Sequence, residues 1–331
     1  ESTAHYALNL ELFLENAHHS FMEVNPVLIK EYKKSTTLRR TKTDSVDCES
    51  IARWLMTVEY KPHSKGFYHA YSLKSLTRLR DRLIRQRSFY LVKITNVLDH
   101  TFPEFKPFFN ERLSKTALYL LENYGSAEKM ARMNSASYDK LRCISRGKFS
   151  IQQFLRLKEL AANTVGVNNS IFDLELNTLL TLYKSLSDEI NTLETEIIKL
   201  IEEVHPHYMS IPGIGPISAA VIYAEYGDIS NFSNPGQMLA FAGIEPGIND
   251  SGTESHGGRM VKHGSSQLRY VLLNSCLPLI RFDLTFATYY AKKRAEGKKH
   301  RVAITHVAKK LIRVIYALER QDVDFNVQKL R

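Results

Sequence analysis

The sequence predicts an α/β unit near the N-terminus, followed by a remainder that is entirely helical. Strand and helix patterns alternate over roughly the first 60 residues. Apolar residues then recur at steps of three and four over residues 72–100 and 171–204, which is helical spacing. From residue 206 onward, Gly-rich turns separate further apolar helical segments. We therefore expect two fold classes in one chain, α/β and all-α.

Composition and charge favour a globular protein that binds a polyanion. The 331 residues contain 44% apolar and 24% charged side chains, as folded domains do. Residues 251–320 hold 14 Lys and Arg against 4 Asp and Glu, a surplus equal to the formal charge of the whole chain, +10. This basic region favours nucleic-acid binding, and a solvated basic surface is the alternative. Three widely spaced cysteines and the lack of a long apolar run predict a cytoplasmic protein without a membrane span.

The first elements place carboxylates together. A helix is predicted over residues 4–16 and a short strand at residues 21–24, and Asp44 then caps a new helix on which Asp47 follows one turn later. With Glu1, these acids form a set of the kind that holds Mg²⁺ in nucleases. The alternative is that Asp44 is a simple helix cap and Asp47 a partner of the helix dipole.

Two long helices are predicted to follow. The helix over residues 72–100 has an apolar seam and a strongly basic opposite face, on which Arg78, Arg82 and Arg85 are candidate nucleic-acid contacts. The helix over residues 171–204 shows coiled-coil spacing in its apolar residues, namely Leu179, Leu182, Leu186, Ile190, Leu193, Ile197, Leu200 and Val204. This pattern favours self-association or a spacer role.

The segment IPGIGPISAAVIYAEYG, residues 211–227, predicts the hairpin of a helix-hairpin-helix element. Gly213 and Gly215 allow the backbone to approach a phosphate closely, and a helix that begins near Pro216 offers unpaired N–H groups at its positive end. Such a hairpin would bind the DNA backbone without reading its sequence. The alternative is a tight turn between helices that serves packing alone.

A Gly-rich segment, residues 243–264, carries Ser251 between Asp250 and Gly252 and is predicted to be a flexible loop. A hydroxyl nucleophile that attacks phosphorus needs an exposed position and nearby cations to stabilise the developing charge. The cations Arg259, Lys262 and Arg269 lie in or just after this segment. From spacing alone, a Ser-Gly turn is the simpler explanation.

Taken together, these motifs resemble one family of insertion-sequence transposases, in which an N-terminal RuvC-like (RNase H-like) domain carries an Asp-Glu-Asp-Asp set and a C-terminal domain carries a serine. ESTAHY is similar to the family's second-acid motif, with Ala4 in place of Gly, and TKTDSVDCESIARWL to the motif of the last two acids, with Cys48 in place of Ala. The C-terminal match runs from IPGIGPISAA to HGGRMVKHGSSQLRYVL.

The resemblance implies a site that joins both ends of the chain. Ser251 would be the nucleophile in a serine–phosphate intermediate, and Glu1, Asp44 and Asp47 would hold Mg²⁺. The predicted domains are a RuvC-like domain over residues 1–68, a helical, coiled-coil region over 69–205 and a transposase domain over 206–331. The family's first Asp and its strand are not in this sequence, so we expect a truncated domain, and an inactive chain is one expected outcome.

The resemblance also implies partners. Members act on DNA as homo-oligomers, so a dimer or tetramer is expected, and some members use a structured guide RNA, which makes RNA a second candidate partner. Two other functions stay open at this point. One is a Mg²⁺-dependent, junction-resolvase-like nuclease that works through water, and the other is a non-catalytic DNA-binding protein built on the hairpin and the basic C-terminal region.

Overall fold

A computed structural model describes residues 6–37, 43–60, 67–110, 113–251 and 254–326. The chain divides into two compact units, which we call the N-terminal unit (Glu1–Phe67) and the C-terminal unit (Tyr68–Arg331). Glu1, a predicted Mg²⁺ ligand, lies outside the described residues.

The described part of the N-terminal unit consists of three helices: α1 (Ala7–Asn16), α2 (Pro26–Thr36) and α3 (Asp44–Leu55). Side chains cap the N-termini of two of these helices, α2 and α3. Asn25 Oδ1 accepts a hydrogen bond from the Val27 amide at 2.9 Å, with Pro26 in the first turn, and Thr43 Oγ1 accepts one from the Val46 amide at 3.4 Å. Such caps satisfy amides that have no partner within the helix.

The strand predicted at residues 21–24 is wrong, because this segment connects α1 to α2 without strand structure. Over residues 6–37 and 43–60 there is no strand with which it could pair, and a single extended segment without a partner does not form a sheet. The α/β class and the RuvC-like fold therefore stay predictions for this unit.

The C-terminal unit begins with helices α4 to α10. Their bounds are α4 (Phe67–Thr101), α5 (Phe105–Phe108), α6 (Lys115–Tyr124), α7 (Ala127–Ala131), α8 (Ser135–Ile144), α9 (Ile151–Ala162) and α10 (Ser170–Val204). One apolar core joins the second half of α4 to the first part of α10 and to the short helices between them, with Ile94, Phe105, Leu120, Leu141 and Leu157 fully buried.

The long helices α4 and α10 are each 35 residues long, and Arg80 Nε on α4 donates a hydrogen bond to Glu194 Oε1 on α10 at 2.8 Å. The buried residues of α10 differ in part from the predicted coiled-coil seam. Ile190 and Ile197 are buried as the spacing predicts, but Leu182 and Val204 are 40% and 42% exposed. Leu176, Leu180 and Ile201 are buried instead, because α10 packs against several short helices rather than one partner along its length. The coiled coil stays a prediction.

The remaining elements are α11 (Pro216–Tyr226), α12 (Pro235–Ala242), β1 (Pro246–Ser251), β2 (Glu254–Met260), α13 (Ser266–Phe282), α14 (Leu284–Ala295) and α15 (His300–Gln321). A second apolar core is built around α15, which contacts α12, α13 and α14 and buries Val307, Leu311 and Ile315. This core also includes Leu73 of α4 and Ile197 of α10.

The expectation of an all-helical C-terminal domain with a flexible Gly-rich loop is corrected by an antiparallel hairpin of β1 and β2. The register pairs Asp250 with Ser255 and Ser251 with Glu254, and it shifts once between Pro246 and Ile248. The glycines did not prevent strand pairing, because backbone hydrogen bonds between adjacent strands do not depend on the side chains.

No single helix of the described residues is long and apolar enough to cross a membrane. Taken together, α13 and α14 are long and apolar enough for a membrane span, but they are bent by 106° relative to each other.

Candidate nucleic-acid interface

The predicted hairpin lies between α10 and α11. After α10 ends, the chain forms a 3₁₀ turn at His207–Ser210, and α11 begins at Pro216, as the sequence predicts. The N-cap of α11 is Gly215, which has no side chain that could accept a hydrogen bond from the first backbone amides of the helix. These amides form a positive helix end of the kind that binds phosphate. The helix-hairpin-helix assignment itself stays a prediction.

The two glycines of this hairpin have different environments. Gly213 has φ +98°, and a Cβ placed on it would lie 2.9 Å from Pro278 Cγ and 3.1 Å from the Leu279 amide nitrogen of α13. Gly215 has φ −80°, and a Cβ there would meet nothing within 4 Å. Gly213 therefore serves the packing of the hairpin on α13, whereas Gly215 leaves open space beside the backbone.

Ser251 is the last residue of β1, at the end of the hairpin where it pairs with Glu254 of β2. Arg259 lies on β2, and Lys262 follows the strand as an exposed residue with φ +56°. The candidate nucleophile and these cations therefore belong to one hairpin and the segment that follows it. A residue at the end of a hairpin is well placed to meet a large ligand.

Arg269 has a structural partner. Its Nη1 donates a hydrogen bond to the Ala242 carbonyl at 3.1 Å, at the C-terminal end of α12, and the side chain is half-buried. A cation at a helix C-terminus satisfies a free carbonyl and opposes the negative end of the helix dipole. Arg269 therefore holds α12 against α13, which the sequence-based interpretation as a nucleic-acid contact did not include.

The arginines on the basic face of α4 differ in whether they pair with carboxylates. Arg78 makes a two-point interaction with Glu225 of α11, with Nε at 2.9 Å from Oε1 and Nη2 at 3.1 Å from Oε2. The Glu225 side chain is only 2% exposed, and Lys74 Nζ approaches it at 3.8 Å. Arg78 is thus committed to neutralising a buried carboxylate, whose unpaired burial would be costly.

Arg82 and Arg85 are exposed on the same helix. Arg85 Nη2 lies 3.0 Å from Asp81 Oδ2, four residues earlier, which is a weak surface ion pair. No ion pair of Arg82 is found within the part of the chain that the structure describes. Of the three arginines predicted on α4, Arg82 is the one whose charge is most free to meet a phosphate.

The acidic residues of the N-terminal unit lie in the first turn of α3. Asp44 is exposed, whereas Asp47 is half-buried and accepts a hydrogen bond from Lys33 Nζ of α2 at 2.6 Å. The prediction that Asp44 caps α3 is wrong, because Thr43 is the cap and Asp44 is the first residue of the helix. Both aspartates lie in the first turn, where carboxylates are stabilised by the helix dipole. Among the described residues, no group of three or more His, Cys, Asp or Glu could hold a metal ion.

The two aspartates fit Mg²⁺ in kind, because carboxylate oxygens are the ligands that this ion prefers. Two carboxylates alone do not make a complete set of Mg²⁺ ligands, and Lys33 already supplies a positive charge to Asp47. A bound divalent ion at Asp47 would therefore have to displace or repel the Lys33 ammonium group.

A further basic segment was not singled out as a site from the sequence, although it lies inside the basic window of residues 251–320. It is the turn between α14 and α15, where exposed cations crowd around Gly297, namely Lys292, Arg294, Lys298, Lys299 and Arg301. The signal was the charge run KKRAEGKKHR itself. Burial, followed by Lys293, Lys309 and Lys298, lowers the pKa of the nearby His306.

Two models of transposase families match this chain. A model described as "Transposase IS116/IS110/IS902 family" matches residues 206–291, and a model of IS110-type DEDD transposases matches residues 1–103. Together the two matches cover more than half of the chain. The chain belongs to the IS110/IS116/IS902 transposase family.

Three relatives show how far this similarity extends. The chain is 29% identical over 237 residues to an insertion element IS110 protein of Streptomyces coelicolor, covering 69% of the chain and 58% of the relative. It is 28% identical over 298 residues to an insertion element IS900 protein of Mycobacterium paratuberculosis, covering 84% and 71%. It is 25% identical over 260 residues to the transposase for insertion sequence element IS1111A of Coxiella burnetii, covering 78% and 59%.

The family matches coincide with the candidate residues of this transposase-family chain. The match at residues 1–103 includes Asp44, Asp47 and the basic face of α4, and the match at 206–291 includes the hairpin glycines, Ser251 and Arg269. The turn between α14 and α15 lies beyond both matches.

Proposed function

We propose that the chain acts as a DNA transposase that cuts and rejoins DNA strands, with Ser251 as the nucleophile. The position of Ser251 at the end of the β1–β2 hairpin, inside the family match, carries this proposal. Such a position suits a side chain that must reach a bound strand, and Lys262, exposed after β2, supplies charge for the phosphoryl oxygens.

The reaction balances without an external energy source. Ser251 Oγ attacks phosphorus, a serine–phosphate ester forms, and one P–O bond to deoxyribose breaks while the proton of the serine hydroxyl passes to the leaving oxygen. In the second step a hydroxyl of another strand attacks the same phosphorus and releases Ser251. One phosphodiester is lost and one is formed, so the energy of the bond is conserved in the ester.

Asp44 and Asp47, with Glu1, are the residues that would hold Mg²⁺ in this proposal. Bound there, the ion would act as a Lewis acid on the phosphoryl oxygens. The part that the chain itself plays is to keep two carboxylates on one helical turn, three residues apart, with Lys33 as the counter-charge of Asp47. Binding of DNA by Gly215, Lys262 and Arg82, use of a guide RNA and assembly into a homo-oligomer belong to the same proposal.

The test is covalent adduct formation. The chain is incubated with Mg²⁺ and labelled DNA that carries the ends of its element, and denaturing gels are used to detect a protein–DNA adduct. We expect an adduct with the wild type and none with Ser251→Ala. Ser255→Ala is the matched control, because Ser255 lies on β2 of the same hairpin, and it should keep the adduct.

Other outcomes identify the alternatives. Cleavage that persists in Ser251→Ala but disappears in Asp44→Asn would replace the proposal with a water-dependent nuclease. DNA binding without cleavage or adduct in the wild type would support a non-catalytic DNA-binding chain.

A further inference from the structure

A cavity of about 500 Å³ lies beside the second half of α15. Its wall is formed by α15, by Tyr289 of α14 and by the segment after α15 that contains Val323 and Phe325. This volume is within the usual range for sites that bind small molecules or cofactors.

The lining combines apolar, aromatic and cationic groups. Tyr289, Leu318 and Phe325 contribute the apolar wall, and Lys310 and Arg313 contribute positive charge. Lys310 Nζ lies 5.2 Å from the centroid of the Tyr289 ring. In the described part of the chain no carboxylate pairs with either cation. These groups are therefore available to an anion.

The acidic member of the lining is already engaged. Asp324 Oδ1 lies 2.9 Å from Nδ1 of His207, and the Phe325 amide donates to Ser210 Oγ at 2.8 Å. The wall of the cavity is thus fastened to the 3₁₀ turn His207–Ser210, which directly precedes the glycine hairpin.

We propose that this cavity binds one unstacked nucleotide of a nucleic-acid strand. A nucleotide presents a flat, largely apolar base and an anionic phosphate, which match the aromatic wall and the two cations. Bases stack on aromatic side chains whatever their sequence, and basic residues follow the backbone. This inference rests on the proposed function only in taking DNA as the ligand, and it assigns a site for a base outside the reacting bond.

The first test is photocrosslinking with the whole chain. A single-stranded DNA oligonucleotide that carries one 5-iodouracil is irradiated with the protein, and the crosslinked residue is mapped by mass spectrometry. We expect crosslinks at Tyr289 or Phe325 and a strong reduction with the matched blunt duplex. An RNA oligonucleotide with the same base distinguishes the two sources of the nucleotide. Crosslinks that map only to other residues would overturn the proposal.

The second test measures binding of the same DNA strand by fluorescence anisotropy at several salt concentrations. Phe325→Leu keeps an apolar side chain but removes the ring, and we expect about 10-fold weaker binding with an unchanged salt dependence. Arg313→Ala should lower the slope of log K against log salt by about 0.7, the value for one phosphate on a single strand. Circular dichroism verifies that the variants are folded.

The matched control is Arg320→Ala. Arg320 is an exposed arginine on the same helix, seven residues after Arg313, whose guanidinium lies 5.8 Å from the Tyr316 ring and outside the cavity. If Arg313→Ala and Arg320→Ala weaken binding equally and Phe325→Leu has no effect, the region is a general basic surface and the proposal fails.

The two proposals fail independently. Ser251→Ala should keep the crosslink at the cavity and lose the covalent adduct. An adduct without a cavity crosslink overturns only the nucleotide site, whereas a cavity crosslink without an adduct overturns only the serine reaction.

Discussion

Gly213 and Gly215 differ in what a side chain would do to the protein. At Gly213 a methyl group would contact the ring of Pro278 and the backbone of Leu279, and the positive φ disfavours any L side chain. At Gly215 the angle is ordinary and the space is open.

We therefore predict that Gly213→Ala lowers the free energy of unfolding by about 1–3 kcal/mol, through strain and overpacking against α13. Gly215→Ala, the matched control two residues later, should cost less than about 1 kcal/mol, because alanine is only a poorer N-cap. Urea denaturation followed by circular dichroism measures both. Equal losses would contradict the packing role of Gly213.

Arg78 offers a second prediction at the residue scale. Among the described residues, Lys74 at 3.8 Å is the cation left to the buried Glu225 carboxylate in Arg78→Met, so we expect a loss of about 2–3 kcal/mol in the free energy of unfolding. Arg82→Met, one turn later on α4, is the control and should leave stability unchanged while weakening DNA binding. Adding Glu225→Gln to Arg78→Met should recover part of the loss. A stability change of the same size in Arg82→Met would refute this distinction.

At the scale of elements, the segment after α15 is held to the 3₁₀ turn by His207, whose two ring nitrogens each lie 2.9 Å from a carboxylate. Asp324, then Asp322, raise the pKa of His207, and Glu319 adds to this effect. A raised pKa in the folded state means that the protonated form stabilises the fold. This stabilisation is complete below the unfolded pKa of about 6.5 and is lost as the pH rises through the folded value.

Asp324→Asn should therefore lower the Tm most near about pH 6, with a difference from wild type that shrinks toward about pH 8.5. Thermal melts over this range give the measurement. Asp139→Asn replaces an exposed aspartate of α8, and it should show no such trend. A Tm difference for Asp324→Asn that does not vary with pH would exclude the ionised His207 as its cause.

Helix starts were predictable from the sequence, because residues within one turn determine them. The start of α11 follows from a glycine and a proline. The start of α3 was predicted one residue late, with Asp44 as its cap, because Thr43 and Asp44 are both residue types that cap helices. The β1–β2 hairpin was missed because its glycines resemble a loop, and pairing depends on the partner strand rather than on either strand alone. The strand at residues 21–24 was predicted wrongly for the same reason, because its formation depends on a partner strand.

The candidate site was only partly predictable for a related reason. The motifs locate Ser251, Asp44 and Asp47, but a residue's partners are set by the tertiary structure. The basic stripe of α4 does not reveal that Arg78 is taken up by Glu225, 147 residues away. Nor does the sequence reveal that Arg269 holds the end of α12.

At the scale of the molecule, the two units differ in how much apolar surface they bury. In the described part of the N-terminal unit, Val24 and Ile29 are the buried apolar side chains. The C-terminal unit contains two extensive apolar cores. Because apolar burial is the main source of stability, the smaller core should be the weaker one.

The single tryptophan of the chain, Trp54, lies on α3 and so reports on the N-terminal unit alone. In urea we predict that Trp54 fluorescence changes at a lower concentration, and with a smaller m value, than far-UV circular dichroism, which is dominated by the helices of the C-terminal unit. Trp54→Phe should abolish the fluorescence transition and leave the main dichroism transition in place. If both probes instead give one midpoint and one m value, the units unfold as a single cooperative body, since two-state unfolding makes all probes coincide.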